Sequence, residues 1–139
     1  MHAMTRVGFI GLGAMGASMA GHLHGKNLLA VGGNRSFAKA EAMAAQLGVR
    51  VARTDADFAE CDAVVLCVSM DADVMQCVRG LATVLRRGSV IIDHSTVARS
   101  TAVEAACVLE EYGIGFLDAP VSGGVEGARN GKLSVMVGG

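Results

Sequence analysis

Short apolar runs alternate with helix-length stretches along the whole chain of 139 residues, and this alternation limits the possible folds more than any other feature. The runs cover residues 7–10, 28–31, 49–52, 63–68, 90–92, 114–117 and 133–137. A half-exposed antiparallel strand alternates apolar and polar residues, whereas a strand buried on both faces is apolar throughout. The runs therefore predict strands of a parallel sheet that helices cover on both faces.

The stretches between these runs carry helix signals. Helices are predicted over residues 14–26, 36–47, 71–80 and 97–112. Ser36 is the expected N-cap of the second helix. Gly48 and Gly113 lie just past the second and fourth helices, where a glycine commonly ends a helix. The repeated strand–helix order predicts one α/β domain over residues 1–139, with a doubly wound, mostly parallel sheet.

Composition and charge argue against several classes of protein. Lys and Arg total 12 against 13 Asp and Glu, and a nucleic-acid-binding protein needs a more basic face. Hydrophobic residues make up 52%, too many for a disordered chain, yet no run approaches the roughly 18–20 uncharged apolar residues of a membrane span. The four cysteines form no CxxC pair and the N-terminus shows no secretory segment, so buried, reduced thiols in a cytoplasmic protein are expected.

A glycine motif marks the first strand–helix junction. Gly11-Leu12-Gly13-Ala14-Met15-Gly16 directly follows the apolar run at 7–10 and opens the first helix. In a Rossmann-type domain the three glycines allow a tight turn, the close approach of a pyrophosphate, and close packing of helix on strand. The free N–H groups of the helix then face the phosphates. The motif therefore predicts a dinucleotide site, the alternative being a glycine-rich turn without a ligand.

The end of the second strand predicts which dinucleotide binds. An NAD site places an acid here for the ribose 2′-hydroxyl, but no Asp or Glu occurs between residues 21 and 40. Arg35 instead offers a guanidinium to a 2′-phosphate. Asn34 and Ser36 can add neutral hydrogen bonds, and Lys39 adds a positive charge. NADP is therefore predicted in preference to NAD, the alternative being that Arg35 is a solvated loop residue.

Three longer stretches match a known pattern. They read Gly8-Phe9-Ile10-Gly11-Leu12-Gly13-Ala14-Met15-Gly16, Asp93-His94-Ser95-Thr96-Val97 and Asp118-Ala119-Pro120-Val121-Ser122-Gly123-Gly124. With these stretches, and with its tail over 127–139, the chain resembles the β-hydroxyacid dehydrogenases. That family includes 3-hydroxyisobutyrate dehydrogenases, tartronate semialdehyde reductases and glyoxylate/succinic semialdehyde reductases. His22 departs from the pattern, which usually has Asn there, so no subfamily is assigned.

The resemblance implies further cofactor residues. Val68 and Ser69, after the fourth strand, would line the cofactor near its ribose and nicotinamide. Thr96 would contact the nicotinamide side. For Ser95 and Thr96 the competing interpretation is plain capping of the fourth helix, and both roles can coexist.

The resemblance also implies a substrate-binding segment. Ser122, Gly123 and Gly124 would hold a substrate carboxylate with a hydroxyl and backbone N–H groups. A small residue followed by two glycines independently suits this role, because it exposes N–H donors around an anion. The alternative is that these residues form only a turn between the last strands.

No catalytic residue is predicted within the chain. In the family that the chain resembles, the catalytic lysine lies on a long helix after this domain, and none of Lys26, Lys39 and Lys132 sits in such a motif. The helical substrate domain of that family is absent as well. The chain is therefore interpreted as the cofactor-binding half of a two-domain enzyme, inactive alone and homo-oligomeric in its full-length form.

The predicted function follows from these assignments. It is the NADP-binding domain of an oxidoreductase that transfers hydride between NADP(H) and a small β-hydroxy acid or semialdehyde, so the partner is a small-molecule carboxylate. The alternatives are a catalytically silent NADP-binding module and a related dehydrogenase with a phosphorylated or imine substrate. No metal is predicted, because the histidines at 2, 22, 24 and 94 do not cluster.

Overall fold

The computed structural model describes residues 5–11 and 13–138, and strands and helices alternate over most of them. The strands are β1 (Val7–Ile10), β2 (Leu29–Gly33), β3 (Arg50–Val51), β4 (Ala63–Leu66), β5 (Val90–Asp93), β6 (Gly115–Asp118), β7 (Val121–Ser122) and β8 (Ser134–Val135). The helices are α1 (Ala14–Gly25), α2 (Phe37–Leu47), α3 (Asp71–Ala82), α4 (Arg99–Glu110) and α5 (Gly124–Arg129), with a short 3-10 helix at Asp55–Phe58.

The first six strands form one parallel sheet. Their order is β3-β2-β1-β4-β5-β6, so the strand order reverses between β1 and β4. These two central strands pair in register, with Val7 opposite Ala63 and Ile10 opposite Leu66. This is the strand order of a Rossmann fold, and the predicted fold class is confirmed.

Helices cover both faces of the sheet, because successive residues of a strand point to opposite sides. Val64, Leu66 and Ile91 pack on one face with the buried residues of α3 and α4. Phe9 and Val65 pack on the other face with those of α1 and α2. The apolar runs in the sequence therefore result from burial on two sides, as predicted.

The apolar run at 133–137 is an exception to this pattern. It does not join the parallel sheet, as had been expected, because only Ser134 and Val135 form a strand, and this strand pairs antiparallel with β7. A crossover between parallel strands needs a dozen or more residues. The connection from β7 to β8 is shorter and holds only the short helix α5, so the chain returns antiparallel. Val135, Met136 and Val137 consequently remain exposed.

The start of α4 also differs from the prediction. Its N-cap is Ala98, so neither Ser95 nor Thr96 caps it. The carboxylate of Asp71 in α3 accepts hydrogen bonds from the Ala98 N–H at 2.9 Å and from the Thr101 hydroxyl at 2.6 Å. A side chain from a neighbouring helix thus satisfies groups that a local cap would have served.

The residues predicted at three helix ends stand at or just beyond those ends. Ser36 is in the N-cap position of α2, although its side chain makes no capping hydrogen bond, and Gly48 ends that helix in the left-handed conformation, with φ 72°. Gly113 follows α4 with φ 69°. None of the helices within the described ranges is long and apolar enough to cross a membrane.

The four cysteines are free thiols that differ in exposure. Cys61 is buried, Cys67 and Cys77 are partly buried, and Cys107 is exposed. The expectation of buried thiols is therefore wrong for Cys107, which is exposed on α4.

Candidate dinucleotide site

The loop between β1 and α1 leaves no room for a side chain at two of its glycines. Gly11 has φ 108° and donates its N–H to the Gly33 carbonyl oxygen at 3.0 Å. A Cβ on Gly11 would overlap the carbonyl oxygen of Cys67, and one on Gly16 would overlap the carbonyl oxygen of Gly11. The tight turn and the close packing of helix on strand therefore require glycine at both positions. Leu12 of the same motif lies outside the described residues.

At Gly13 the protein itself does not require glycine, because a Cβ there would meet no protein atom within 4 Å. Its φ of −70° and ψ of −172° are accessible to any residue. It is the N-cap of α1, yet no side chain caps this helix and no acidic residue occupies its first turn. The exposed backbone at Gly13 and the first-turn N–H groups of α1 suit the close approach of a phosphate, which the helix dipole also favours.

A cavity of about 600 Å³ opens beside this loop, at the carboxyl ends of β1, β2, β3 and β4. Ligands of open α/β sheets bind where the strand order reverses, as it does here between β1 and β4. The cavity brings together predicted cofactor residues from three loops: Gly11, Gly13, Asn34, Arg35, Ser36, Lys39, Val68 and Ser69.

Two other predicted cofactor residues, Met15 and Thr96, lie outside the cavity lining. Met15 is half-buried in the first turn of α1, behind the glycine loop. Thr96 is exposed in the loop between β5 and α4. Ala14 begins α1, and only its backbone is described here.

The end of the cavity beyond β2 carries opposite charges. The Arg35 side chain is 85% exposed, and its Nη1 lies 3.4 Å from Oδ1 of Asp73, which is 20% exposed. Lys39 and Arg53 line the same cavity, as do Asp73 and Asp55. Cations thus exceed carboxylates by one, and both carboxylates come from elements other than β2.

Sequence reasoning missed Arg53, Asp55 and Asp73. Arg53 follows β3, and the two acids belong to the 3-10 helix and to α3. Only the packing of these elements on β2 and β4 brings them to the cavity. A basic residue two positions after the strand Arg50–Val51 is a signal that could have found Arg53, because ligands bind at the carboxyl ends of parallel strands.

The loop after β4 is held by a chain of hydrogen bonds. The Val68 N–H donates to the Ser95 hydroxyl at 2.9 Å, and the Ser95 N–H donates to Oδ1 of Asp93 at 2.9 Å. Asp93 is fully buried, and its Oδ2 has no partner within the described part of the chain. Burial raises the pKa of the Asp93 carboxyl. Ser95 therefore positions the loop that carries Val68, which is the role it has in place of helix capping.

Two thiols contribute to the cavity wall. Cys67 and Cys77 both line it. Burial raises the pKa of the Cys77 thiol to about 11 and also raises that of Cys67. Both are protonated near neutral pH, so they form weakly polar walls rather than nucleophiles.

The predicted substrate segment lies outside the cavity. It begins where β6 ends, at the same edge of the sheet, and Ser122, Gly123 and Gly124 are all exposed. Gly123 has φ 125° and Gly124 has φ 63°, so both adopt conformations that favour glycine.

Two histidines fix the polypeptide on either side of this segment. Nδ1–H of His94 donates to the Ala119 carbonyl oxygen at 2.7 Å. Nε2–H of His22 reaches the carbonyl oxygens of Ala128 at 2.8 Å and Arg129 at 3.1 Å. Their ring nitrogens are therefore used in tertiary contacts, and no metal-binding group of three or more His, Cys, Asp or Glu occurs among residues 5–11 and 13–138.

Comparisons with known proteins agree with this geometry. The family model for the NAD binding domain of 6-phosphogluconate dehydrogenase matches residues 6–139. The chain belongs to this family. An uncharacterized oxidoreductase of Shewanella frigidimarina is 44% identical over 140 residues, which are 98% of this chain and 48% of that protein.

Two solved structures are similar in fold and sequence. The 3-hydroxyisobutyrate dehydrogenase of Mycobacterium tuberculosis, solved with L-serine, has a TM-score of 0.92 and 37% identity, covering 99% of this chain and 47% of its own. Psf3 in complex with NADP+ and 2-OPP has a TM-score of 0.85 and 32% identity, covering 94% of this chain and 48% of its own. The chain corresponds to the NAD(P)-binding domain of 3-hydroxyisobutyrate dehydrogenase-like oxidoreductases, and the resemblance seen in the sequence is confirmed. The chain spans about half the length of these relatives.

Proposed function

We propose that the chain is the NADP-binding domain of an oxidoreductase that acts on a small β-hydroxy acid or semialdehyde. The observation that carries the proposal is the end of the cavity beyond β2, where Arg35, Ser36 and Lys39 stand and no carboxylate follows the strand. Guanidinium and ammonium groups attract a 2′-phosphate that a carboxylate would repel. The substrate class is supported by similarity to a 3-hydroxyisobutyrate dehydrogenase.

The residues of the chain fit the two charged ends of such a cofactor. The open backbone of Gly13 and the first-turn N–H groups of α1 would hold the pyrophosphate. Arg35, Lys39 and the neutral groups of Asn34 and Ser36 would hold the 2′-phosphate. Asn34 already shapes this turn, since its side-chain amide donates to the Ser36 carbonyl oxygen at 3.3 Å.

The nicotinamide end would lie along the loop after β4. Val68 and Ser69 line the cavity there, and Ser95 holds the Val68 backbone in place. Thr96, exposed in the next loop, would contact the nicotinamide side. When bound, the cofactor would supply or accept a hydride, and the protein residues would fix its orientation.

The substrate carboxylate would be held by the hydroxyl of Ser122 and the N–H groups of Gly123 and Gly124. These groups are exposed, and the histidine contacts on either side keep their segment against the sheet. None of the lysines of the chain is suited to protonate a substrate oxygen: Lys39 stands at the opposite end of the cavity, and Lys26 and Lys132 lie outside it. Hydride transfer by this chain alone is therefore expected to be negligible.

Calorimetric titration of the chain with NADPH and, in parallel, NADH tests the proposal. NADPH is expected to bind at least tenfold more tightly, which corresponds to about 1.4 kcal/mol. Equal affinities would overturn the choice of NADP. Absence of binding by both would overturn the assignment of this cavity as a dinucleotide site.

A matched pair of glycine variants tests the position of the pyrophosphate. Gly13→Ala and Gly21→Ala each add a methyl group on α1 or at its N-cap, where a Cβ meets no atom within 4 Å. Both variants should fold. Gly13→Ala should weaken NADPH and NADH alike by about tenfold or more, because the methyl group would stand where the phosphates approach. Gly21→Ala should bind as the wild type does, and equal effects of the two would contradict the assignment.

A further inference from the structure

We propose that Arg53 is the principal cation for the 2′-phosphate of NADP, and that Asp73 weakens the contribution of Arg35. The inference rests on the proposed function, since it concerns the end of the same cavity. It also changes the interpretation of the sequence, in which Arg35 and Lys39 alone supplied the positive charge.

The backbone of Arg53 is fixed by a carboxylate. Oδ2 of Asp57 accepts hydrogen bonds from the N–H groups of Arg53 at 2.7 Å and Thr54 at 3.1 Å, while its Oδ1 lies 2.6 Å from Nη2 of Arg50. These hydrogen bonds hold the pKa of the Asp57 carboxyl below its usual range. The turn after β3 is therefore held at the carboxyl end of the sheet, beside β2.

The guanidinium of Arg53 is held by an aromatic ring. Its central carbon lies 4.9 Å from the centroid of the Phe37 ring, a cation–π distance. Phe37 is the first residue of α2, so the guanidinium stands beside the helix turn that carries Ser36 and Lys39. A guanidinium held on a ring keeps its N–H edges available for a bidentate phosphate contact.

Arg35 and Arg53 differ in the charges around them. Arg35 is paired with Asp73, and a 2′-phosphate would have to compete with that carboxylate. Across residues 5–11 and 13–138, no carboxylate lies within 4.0 Å of the Arg53 guanidinium nitrogens. Both arginines are exposed, so solvent and salt screen both charges, and the carboxylate beside Arg35 is what separates them. Arg53 therefore offers the less compensated charge, and its contact with the Phe37 ring restrains the guanidinium.

The test measures NADPH and NADH affinities of the chain by calorimetry for matched arginine variants. Arg53→Ala is expected to weaken NADPH by about tenfold or more and to change NADH by less than twofold, because only NADPH carries the 2′-phosphate. Arg35→Ala should weaken NADPH by only about threefold. Arg79→Ala is the control for net charge: Arg79 pairs with Glu104 and lies outside the cavity, so both affinities should stay within twofold.

Two further variants test how the charge is arranged. Asp73→Asn removes the competitor of Arg35 and should tighten NADPH about threefold without changing NADH. Phe37→Leu keeps apolar volume but removes the ring face, and should weaken NADPH by less than Arg53→Ala does.

The outcomes separate this inference from the proposed function. If the wild type prefers NADPH but Arg53→Ala behaves like Arg79→Ala, the role of Arg53 is wrong and the NADP assignment stands. If Arg53→Ala weakens NADPH and NADH equally, Arg53 acts on a shared part of the cofactor and the inference is also wrong. If the wild type binds both cofactors equally, the choice of NADP itself fails.

Discussion

The parallel sheet with its four long helices and the segment at residues 119–138 are held in place by different interactions. In the sheet region, Phe9, Leu66, Leu81, Ile91 and Leu109 are completely removed from solvent. The segment 119–138 buries only two residues, Ala119 and Ala128, and leaves most of its large apolar side chains in contact with solvent. Burial of apolar surface thus stabilises the first region much more than the second.

Hydrogen bonds replace that burial in the segment 119–138. The His94 ring donates to the Ala119 carbonyl at its start, the His22 ring donates to the Ala128 carbonyl in its middle, and the N–H and C=O groups of Asp118 and Gly138 pair with each other, each at 2.7 Å. A net hydrogen bond contributes only about 0.5–1.5 kcal/mol. The segment should therefore open by itself well before the sheet unfolds, which would let the proposed substrate residues move without loss of the proposed cofactor site.

The largest effect is expected from a cavity in the sheet region. Leu81→Ala removes a fully buried side chain from the cluster under α3 and α4, and should lower the free energy of unfolding by about 2–5 kcal/mol. Val135→Ala, at a position 48% exposed in β8, should change it by less than about 0.5 kcal/mol. Urea unfolding measures both. Similar losses for the two variants would contradict the difference between the regions.

A smaller and local effect is expected from His22→Ala. The variant removes the donor to the Ala128 and Arg129 carbonyls, which should lower the free energy of opening of the segment by about 1 kcal/mol. The population of the open segment should then rise about fivefold. Hydrogen exchange should show that loss at amides such as Lys132, which bonds to the Gly127 carbonyl, and none at the buried strand β5.

His24→Ala is the control for this prediction. His24 lies two residues further along α1, so its side chain points in another direction. It should leave exchange in the segment 119–138 unchanged. Uniformly faster exchange throughout the molecule in His22→Ala would mean that the segment and the sheet open together.

The contrast between the buried parallel sheet and the exposed segment 119–138 also explains which parts of the fold the sequence could predict. The strands of the sheet were predictable because burial on both faces makes each one apolar throughout, a property of the local sequence. The run at 133–137 is equally apolar, yet most of it is exposed, because the short connection after β7 turns it back antiparallel. Helix α5 was missed because it is only six residues long and contains Gly124 and Gly127.

Parts of the candidate site were hidden for a related reason. The glycine loop at residues 11–16 and the residues after β2 are continuous in sequence, so a local pattern predicts them. Arg53, Asp73 and the Asp93–Ser95–Val68 hydrogen bonds join elements far apart in sequence, and no local pattern marks such contacts. Ser95 shows the cost of local reasoning, since a tertiary hydrogen bond takes the hydroxyl that the cap had been expected to use.

The smallest effects are expected from two carboxyls of the sheet region, those of Asp71 and Asp93, and the two effects should have opposite signs. Hydrogen bonds from the Thr101 hydroxyl and the Ala98 N–H lower the pKa of Asp71 below 3.8. The ionised Asp71 carboxylate therefore stabilises the protein fully at pH values above its pKa in the unfolded chain. This stabilisation is lost as the pH falls through its pKa in the folded protein. Asp71→Asn should be less stable than the wild type at neutral pH, and the difference should shrink below about pH 3.8.

Asp93→Asn should show the reverse dependence, because burial raises the pKa of this carboxyl. The folded state disfavours the ionised form of Asp93. As the pH rises from the pKa of Asp93 in the unfolded chain to its pKa in the folded chain, the wild type therefore loses stability relative to a variant that does not titrate. The stability of Asp93→Asn relative to wild type should thus increase with pH, and that of Asp71→Asn should decrease. Urea unfolding at several pH values compares them directly. Slopes of the same sign would contradict the opposite environments of these two carboxyls.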